Sequence, residues 1–302
     1  MTTSGRDKMH TELKNLKIVK GSHHGKVRDI YDLGDTLLLV TSDRISAFDV
    51  VFDDLIPDKG KILNGISVHF FKSTQDIVPN HFITDDVAQY PKELHPFKAD
   101  LEGRSMLVRK TRVIPFECIV RGYISGSAWS EYKKTGTVGS MMIAEELQES
   151  QKFPNPLFTP STKASEGHDI NISYREMMMH MDEWIARFLK DKSLALYNFA
   201  HELMKKHGII IADTKFEFGA IGNEIILIDE CLTPDSSRFW DIESYEIGTS
   251  PKSYDKQYIR DYLNTTGWDK QPPAPALPAD VISKTRDKYL KIYETITGNK
   301  LA

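Results

Sequence analysis

Cysteine is nearly absent. Cys118 and Cys231 are the only two in 302 residues, far apart and each in an apolar, strand-like stretch. Two buried thiols in a reducing compartment are therefore expected in preference to a disulfide. An excess of positive charge is also missing: Lys+Arg 39 against Asp+Glu 43 gives −4. That balance argues against a broad electrostatic footprint for DNA or RNA. No long hydrophobic run occurs, and stretches such as Leu37-Leu38-Leu39-Val40 fall far short of the roughly 18 residues of a membrane span. The opening residues, MTTSGRDKMH, contain no signal-peptide core. A cytoplasmic enzyme with no nucleic-acid or membrane partner is the expectation. What is present is ordinary globular material: 40% hydrophobic, 27% charged and 10% aromatic. At roughly 150 residues per domain, the length predicts two domains with cores that need neither disulfide nor zinc.

Strand patterns fill the first third. Val27 to Asp32 alternates apolar and polar residues, Leu33-Gly34-Asp35 turns, and Thr36 to Thr41 is apolar, so a hairpin is predicted. Ile62 to Phe71 has partial helical spacing. Leu107-Val108 and Phe116 to Val120 read as buried strands, and a lobe boundary is placed between them. Further on, Ser173-Tyr174-Arg175-Glu176 has the capping-box pattern, followed by Met177, Met181, Trp184, Ile185 and Phe188 on one helix. Leu196 to His207 predicts a second helix stopped by Gly208, and the Met177–Met181 run reads as core filler. Four prolines between Gln271 and Ala279 predict an extended connector, after which Asp280 caps a last helix ending at Gly298. Strands first and helices later make an α+β pattern. The expected partition is 1–112 as a β-rich N-terminal lobe, 113–270 as a larger α+β lobe, and 271–302 as connector and C-terminal helix.

The sharpest chemical feature is Ile211 to Gly219. Alternate side chains of a strand share a face, so Asp213, Lys215 and Glu217 project together and Phe216 and Phe218 oppose them. After a turn near Gly219–Asn223 comes Glu224 to Glu230. If odd positions pair with odd, Asp229 joins the Glu217 face; the sequence leaves that register open. A solvated charged face is the plain alternative. It is weakened because Ile225 to Ile228 is apolar on both sides, as in a buried central strand. Buried carboxylates need a cation, and Lys215 neutralises only one, so a hard divalent ion carried by a nucleotide suits the remainder. The glycine-flanked turn Gly21 to Lys26 permits close backbone approach to an anion, with Lys26 as a point charge, although no Walker loop or GxGxxG is present and a surface turn is the simpler reading. Its two histidines read as solvated. Arg121 to Ser127 precedes a helical stretch, Ala128 to Lys134, which Ser127 either caps or opens toward a phosphate. Thr233 to Arg238 combines two hydroxyls with an arginine, suited to a phosphate monoester or to a plain turn. Thr159 to Asp169 is dense in polar groups, as in a mobile loop. From the residues alone, the reading reaches a Mg-nucleotide enzyme acting on an anionic small molecule.

Together these strings resemble the SAICAR synthetase family over nearly the whole chain, from Gly25-Lys26-Val27-Arg28-Asp29 to the last helix. Ser42 to Asp49, Ile119 to Ser127, Ala212 to Gly219 and Leu232 to Trp240 are the most specific stretches. The longer, fungal-type members look most alike. The resemblance implies a two-lobed ATP-grasp-like or kinase-like architecture with mostly antiparallel sheets. It implies ATP-dependent joining of L-aspartate to the carboxylate of carboxyaminoimidazole ribonucleotide (CAIR) in purine biosynthesis, through an acyl phosphate. ATP and Mg²⁺ are the implied cofactors. Carried over by residue, Glu217 and Asp229 hold the metal. Gly25, Lys26, Val27, Arg28 and Lys215 meet the nucleotide. Arg121, Ser127, Arg238 and Arg260 bind the ribonucleotide's phosphate or carboxylate, and Glu117, Asp213 and Asp235 contact its imidazole or ribose. Ser42, Asp43 and Ser46 are assigned to aspartate, and Lys215 and Asp213 to catalysis, with Asp213 or Asp43 as the acceptor of the amine proton. A monomer is expected, a small homo-oligomer being the alternative. The rival readings are a small-molecule kinase with the same Mg-ATP site and a non-catalytic nucleotide sensor.

Overall fold

The computed structural model describes residues 3–163, 170–254 and 256–301, with the backbone alone for residues 3–7. Part of the polar Thr159–Asp169 stretch, residues 164–169, lies outside the described residues. The chain divides into two compact units, one of residues 1–72, 81–111 and 256–302 and the other of residues 73–80 and 112–255. The partition expected from sequence differs, since 73–80 and 112 group with the second unit and 256–302 with the first.

The first unit opens with α1 (Thr3–Lys14), β1 (Gly21–His24), β2 (Arg28–Asp32) and β3 (Thr36–Thr41). A ribbon of β4 (Arg44–Ala47) and β5 (Val50–Leu55) follows, then α2 (Lys59–Ser73), β6 (Phe82–Thr84), the single turn α3 (Lys98–Leu101) and β7 (Ser105–Arg109). Five strands pair antiparallel in the order β1-β2-β3-β7-β6. The predicted hairpin is present as β2–β3, in register from Arg28↔Thr41 to Asp32↔Leu37. Its alternation buries Asp29 and Tyr31, with Ile30 only half-buried. Tyr31 packs with Leu38, Val40, Leu94, Leu107 and with Met9 and Leu13 of α1. Each such buried side chain contributes about 1.5–3 kcal/mol relative to exposure.

In the second unit, β8 (Arg112–Val113), β9 (Phe116–Tyr123) and α4 (Gly126–Thr135) precede the small ribbon β10 (Thr137–Val138) and β11 (Met141–Met142). Next come β12 (Lys152–Phe158), β13 (Ser161–Thr162), α5 (Tyr174–Met177), α6 (Glu183–Lys205), β14 (Ile209–Ile221), β15 (Glu224–Ile228) and β16 (Ser237–Asp241). The 13-residue β14 is the spine of this unit. Its first half pairs with β16 and its second with β15, while β9 and β8 pair with it as well. Phe216 and Phe218 are fully buried, as is most of β15. The outer edge of β15 is covered where the Leu227 amide donates to the Pro79 carbonyl, so no bare strand edge is left there.

The helices differ from expectation in one respect. Ser173 does form a capping box with Glu176, but it starts only the one-turn α5. The next helix begins after Asp182 and runs unbroken through residues 189–195, where a break between two helices was predicted. Leu189, Ser193, Leu196, Tyr197 and Ala200 are buried at helical spacing, so one continuous apolar stripe carries α6. Of the methionine run, Met177 is core whereas Met179 is exposed. The α6 helix ends near Gly208, which has a left-handed φ of 74°.

The chain then supplies α7 (Gln257–Thr265) and α8 (Ala279–Thr297) to the first unit, with neither helix nor strand between them. Ile259, Leu263 and Val281 pack there with Ile45, Phe52 and Ile56. Asp280 does not cap α8. Pro278 occupies that position, and Asp280 pairs instead with Lys284 one turn on. Both cysteines are free and buried, and burial pushes both thiols up.

Candidate active site

The β9 and β14 strands pair with Asp213↔Arg121 and Lys215↔Ile119. Odd positions of both strands therefore share one face, and the predicted set Asp213, Lys215, Glu217 lies on it. Toward the Glu217 end, the Lys215 Nζ donates to Glu117 Oε1 at 2.8 Å and to Glu217 Oε1 at 2.6 Å. Lys163 donates to the other oxygen of Glu217, and Ser161 to Glu117 Oε2 at 3.2 Å. Burial alone would lower the Lys215 pKa, but Glu217, Asp229 and Glu117 outweigh it and hold the ammonium well above its usual range.

Asp229 reaches this cluster by a route other than strand parity. The β14–β15 register is odd to even, Glu217↔Ile228, which would aim residue 229 at the opposite face. Asp229 instead adopts a left-handed φ of 67° just past β15, and the turned backbone leaves its charge acting on Lys215. Aspartate is among the few non-glycine residues that enter this region readily.

At the other end of the face, the Asp213 Oδ2 accepts Arg238 Nη1 at 2.5 Å, Ser125 Oγ at 3.3 Å and Arg121 Nη1 at 3.4 Å. Arg121 also donates to Thr159 Oγ1 at 2.9 Å and to Ser127 Oγ at 3.4 Å. It is buried, and desolvation lowers its pKa against the pull of Asp213. Ser125, not Ser127, is the N-cap of α4 and makes no side-chain cap bond, which leaves its hydroxyl for Asp213. Gly126 has a φ of 56°, and a Cβ there would lie 2.2 Å from the Arg238 Nη2, so glycine is what admits the guanidinium. Asp235 sits half-buried in the Thr233–Ser236 turn, its amide donating to Thr233 Oγ1 at 3.2 Å.

Residues 21–275 match the family model described as SAICAR synthetase. The chain belongs to the SAICAR synthetase family. It is 53% identical over 284 residues to the phosphoribosylaminoimidazole-succinocarboxamide synthase of Thermodesulfovibrio yellowstonii, covering 94% of this chain and 97% of that protein. The enzyme of that name from Leptospira interrogans is 54% identical over 277 residues, covering 91% and 96%. Among solved structures, the Saccharomyces cerevisiae SAICAR synthase complexed with SAICAR superposes with a TM-score of 0.86 at 45% identity, over 95% of this chain and 97% of that one. A SAICAR synthetase in complex with ADP superposes with a TM-score of 0.68 at 25% identity, covering 93% and 100%. Bacterial relatives are thus at least as similar as the yeast one. As a member of this family the chain is a ligase of purine biosynthesis that joins CAIR and L-aspartate, and a small-molecule kinase is not favoured.

The remaining predicted residues lie in the first unit. Gly25, Lys26 and Val27 form the turn between β1 and β2, Arg28 opens β2, and the Lys26 Nζ pairs with Asp49 at 2.6 Å. Ser42 and Asp43 are buried and engaged within the fold. Ser42 Oγ donates to the Val27 carbonyl, and Asp43 Oδ1 accepts the Gly60 amide at 2.8 Å and Arg104 at 3.1 Å. Ser46 is half-buried on β4, and Arg260 half-buried on α7. Sequence reasoning did not single out Lys163, Ser161, Thr159 or Ser125. The density of polar side chains after Thr159 was the available signal for the first three.

Proposed function

We propose that this chain performs the family's ligation with Mg-ATP, by transferring the γ-phosphoryl group to the CAIR carboxylate and then exchanging phosphate for the aspartate amine. The observation that carries this reading is the single β9–β14 face, with a carboxylate-rich end and an arginine-rich end. A carboxylate is a poor electrophile, and phosphorylation gives it a leaving group. Catalysis of such a transfer is mostly positioning and stabilisation of phosphate charge.

Three carboxylates, Glu117, Glu217 and Asp229, surround Lys215, and Lys163 adds a second ammonium. Hard oxygen donors in excess of the nearby cations fit Mg²⁺, with Glu217 and Asp229 as its holders. When bound, the ion neutralises triphosphate charge. Lys215 stays cationic and supplies a fixed charge to the transferred group. The solved SAICAR synthetase in complex with ADP supports the nucleotide assignment. Lys26 and the amides of its turn are assigned to ATP phosphates, with Lys26 exchanging its exposed Asp49 partner for them. Such a surface pair is weak enough to be given up.

Arg121, Arg238 and Ser127 are assigned to the anionic groups of CAIR, and Glu117 and Asp235 to its ring or ribose. Asp213 holds both guanidiniums through the oxygen that also accepts Ser125, a geometry for orienting arginines rather than for accepting a proton. Ser42 and Asp43 are assigned to the frame of the first unit, not to aspartate. Cytoplasmic location and a monomeric state belong to the same proposal. No helix among the described residues is long and apolar enough to cross a membrane.

ADP release measured with CAIR, with and without L-aspartate, tests the reading. A ligase needs both acceptors for sustained turnover, a kinase needs no aspartate, and a sensor turns over with neither. With ¹⁸O in the CAIR carboxylate, the acyl-phosphate route requires label in the released phosphate. Unlabelled phosphate from unexchanged CAIR rules that route out.

A further inference from the structure

We infer that Arg44, fixed by the buried carboxylate of Asp29, is a positioning residue that holds the turn Gly25–Val27 directly by its carbonyls; the inference rests on the assignment of that turn to nucleotide phosphate. Within the turn, the Gly25 amide donates to the Arg28 carbonyl at 2.9 Å. A Cβ on Gly25 would lie 2.6 Å from that same oxygen, so any side chain there would open the turn.

All three successive carbonyls of the turn are tied back into the unit. The Arg44 Nη2 donates to the Gly25 carbonyl at 2.8 Å and the Arg44 Nε to the Lys26 carbonyl at 3.0 Å. The Val27 carbonyl accepts both the Ser42 amide at 2.9 Å and the Ser42 hydroxyl at 2.8 Å. Among the described residues, the Lys26 and Val27 amides donate to no acceptor. Consecutive amides left over while their carbonyls are pinned form a concavity that suits an anion.

Arg44 is itself fixed. Its Nη2 donates to Asp29 Oδ1 at 2.6 Å and its Nη1 to Asp29 Oδ2 at 3.4 Å. Asp29 is 1% exposed and also pairs with His24 Nδ1 at 2.7 Å. A guanidinium with its fork engaged by one carboxylate and two carbonyls has no freedom to swing out as a phosphate ligand. Its work is to hold the backbone that presents the amides. Lysine cannot replace it, because one ammonium on a flexible stem lacks the planar fork that spans these acceptors.

The test uses Arg44→Lys and Asp29→Asn in the full chain, with Gly25→Val as a control on the turn itself. Mg-ATP binding is measured by calorimetry without CAIR, alongside the KM of each substrate and the thermal midpoint. Losing two hydrogen bonds from a charged donor should weaken Mg-ATP binding and raise the ATP KM by about 10-fold or more, with the CAIR KM little changed. Arg44→Ala should recover ATP affinity in part when low concentrations of guanidinium are added, which a collapsed fold would not do. Unchanged ATP affinity in folded Arg44→Lys, or equal shifts for all three substrates, overturns the inference. If Gly25→Val weakens ATP binding while Arg44→Lys does not, the turn assignment stands and the Arg44 role fails. If neither does, both fail.

Discussion

At one end of the β9–β14 face, Glu117, Glu217 and Asp229 outnumber the ammoniums of Lys215 and Lys163; at the other, Arg121 and Arg238 outnumber Asp213. Glu117 and Arg121 of β9 and Asp213, Lys215 and Glu217 of β14 stand on the same paired strands, while Asp229, Lys163 and Arg238 are brought to the two ends from outside them. Glu217 and Asp213 are four residues apart, roughly 13 Å along an extended strand. Like charges gathered in a dry site cost several kcal/mol unless a counter-charge joins them. On the proposed reading, the carboxylate end is the place for a cation and the arginine end the place for an anion. The β14 strand sets the distance between them.

Removing charge at the carboxylate end should have the largest effect. Glu217→Gln keeps the shape but loses the anion, and the rate of ADP release at limiting Mg²⁺ should fall by about 100- to 1,000-fold, the scale for losing one preorganised electrostatic contact. Asp229→Asn should fall in the same direction. Excess Mg²⁺ should recover part of both losses. Wild-type rates in both variants at limiting Mg²⁺ would remove the metal from this end.

At the arginine end the effect should be on one substrate. Arg238→Ala removes a charged contact to the anion and frees Asp213, and truncations of this kind cost about 2–5 kcal/mol. The CAIR KM should rise by roughly 30-fold or more, which is the lower bound converted at about 1.4 kcal/mol per tenfold. The ATP KM should move far less. Equal changes in both constants would assign Arg238 to the nucleotide or to the frame.

The two ends were unequally legible in the sequence. Period-two spacing alone put Asp213, Lys215 and Glu217 on one face, because strand parity is a local rule. Asp229 was legible only as a conditional, since pairing register depends on the hairpin turn and its final direction on one left-handed residue. Lys163 and Thr159 come to the site through β12 and β13 pairing with β9, a long-range arrangement that no local pattern encodes. The α6 helix shows the same limit. Two helices were expected, up to Phe188 and from Leu196, yet Leu189, Ser193 and Leu196 carry one buried stripe through the polar residues Lys190 to Lys192. Ser42 and Asp43 were assigned to aspartate by resemblance, and nothing local in the sequence shows that Ser42 meets the Val27 carbonyl or that Asp43 meets the Gly60 amide and Arg104.

A smaller effect should sharpen the charge comparison. Lys163 is half exposed and holds the oxygen of Glu217 that Lys215 does not. Lys163→Met should leave that oxygen open to a divalent ion, so Mn²⁺ should bind the nucleotide-free protein more tightly. For a partly exposed pair worth about 1 kcal/mol, the gain is about 5-fold. Mn²⁺ binding followed by electron paramagnetic resonance reads it directly. Unchanged affinity would mean that Lys163 and the metal do not compete.

The smallest expected effect is none at all, and it concerns Lys215. Its folded-state pKa is raised, so its ion pairing contributes stability in full below the unfolded value of about 10.4 and is lost only as pH rises through the still higher folded value. Between pH 6 and 9.5 the ammonium is therefore a constant charge, and no limb of the kcat/KM profile should belong to it. Lys215→Arg tests this, because a guanidinium does not titrate in that range. The variant should lower the absolute rate, since a planar fork replaces a compact ammonium, but any alkaline limb should keep its midpoint. A limb that disappears in Lys215→Arg would show Lys215 losing its proton during turnover. The carboxylate end would then hold less negative charge than its three acids provide, and the difference between the two ends of the strand would have to come from somewhere other than side-chain count.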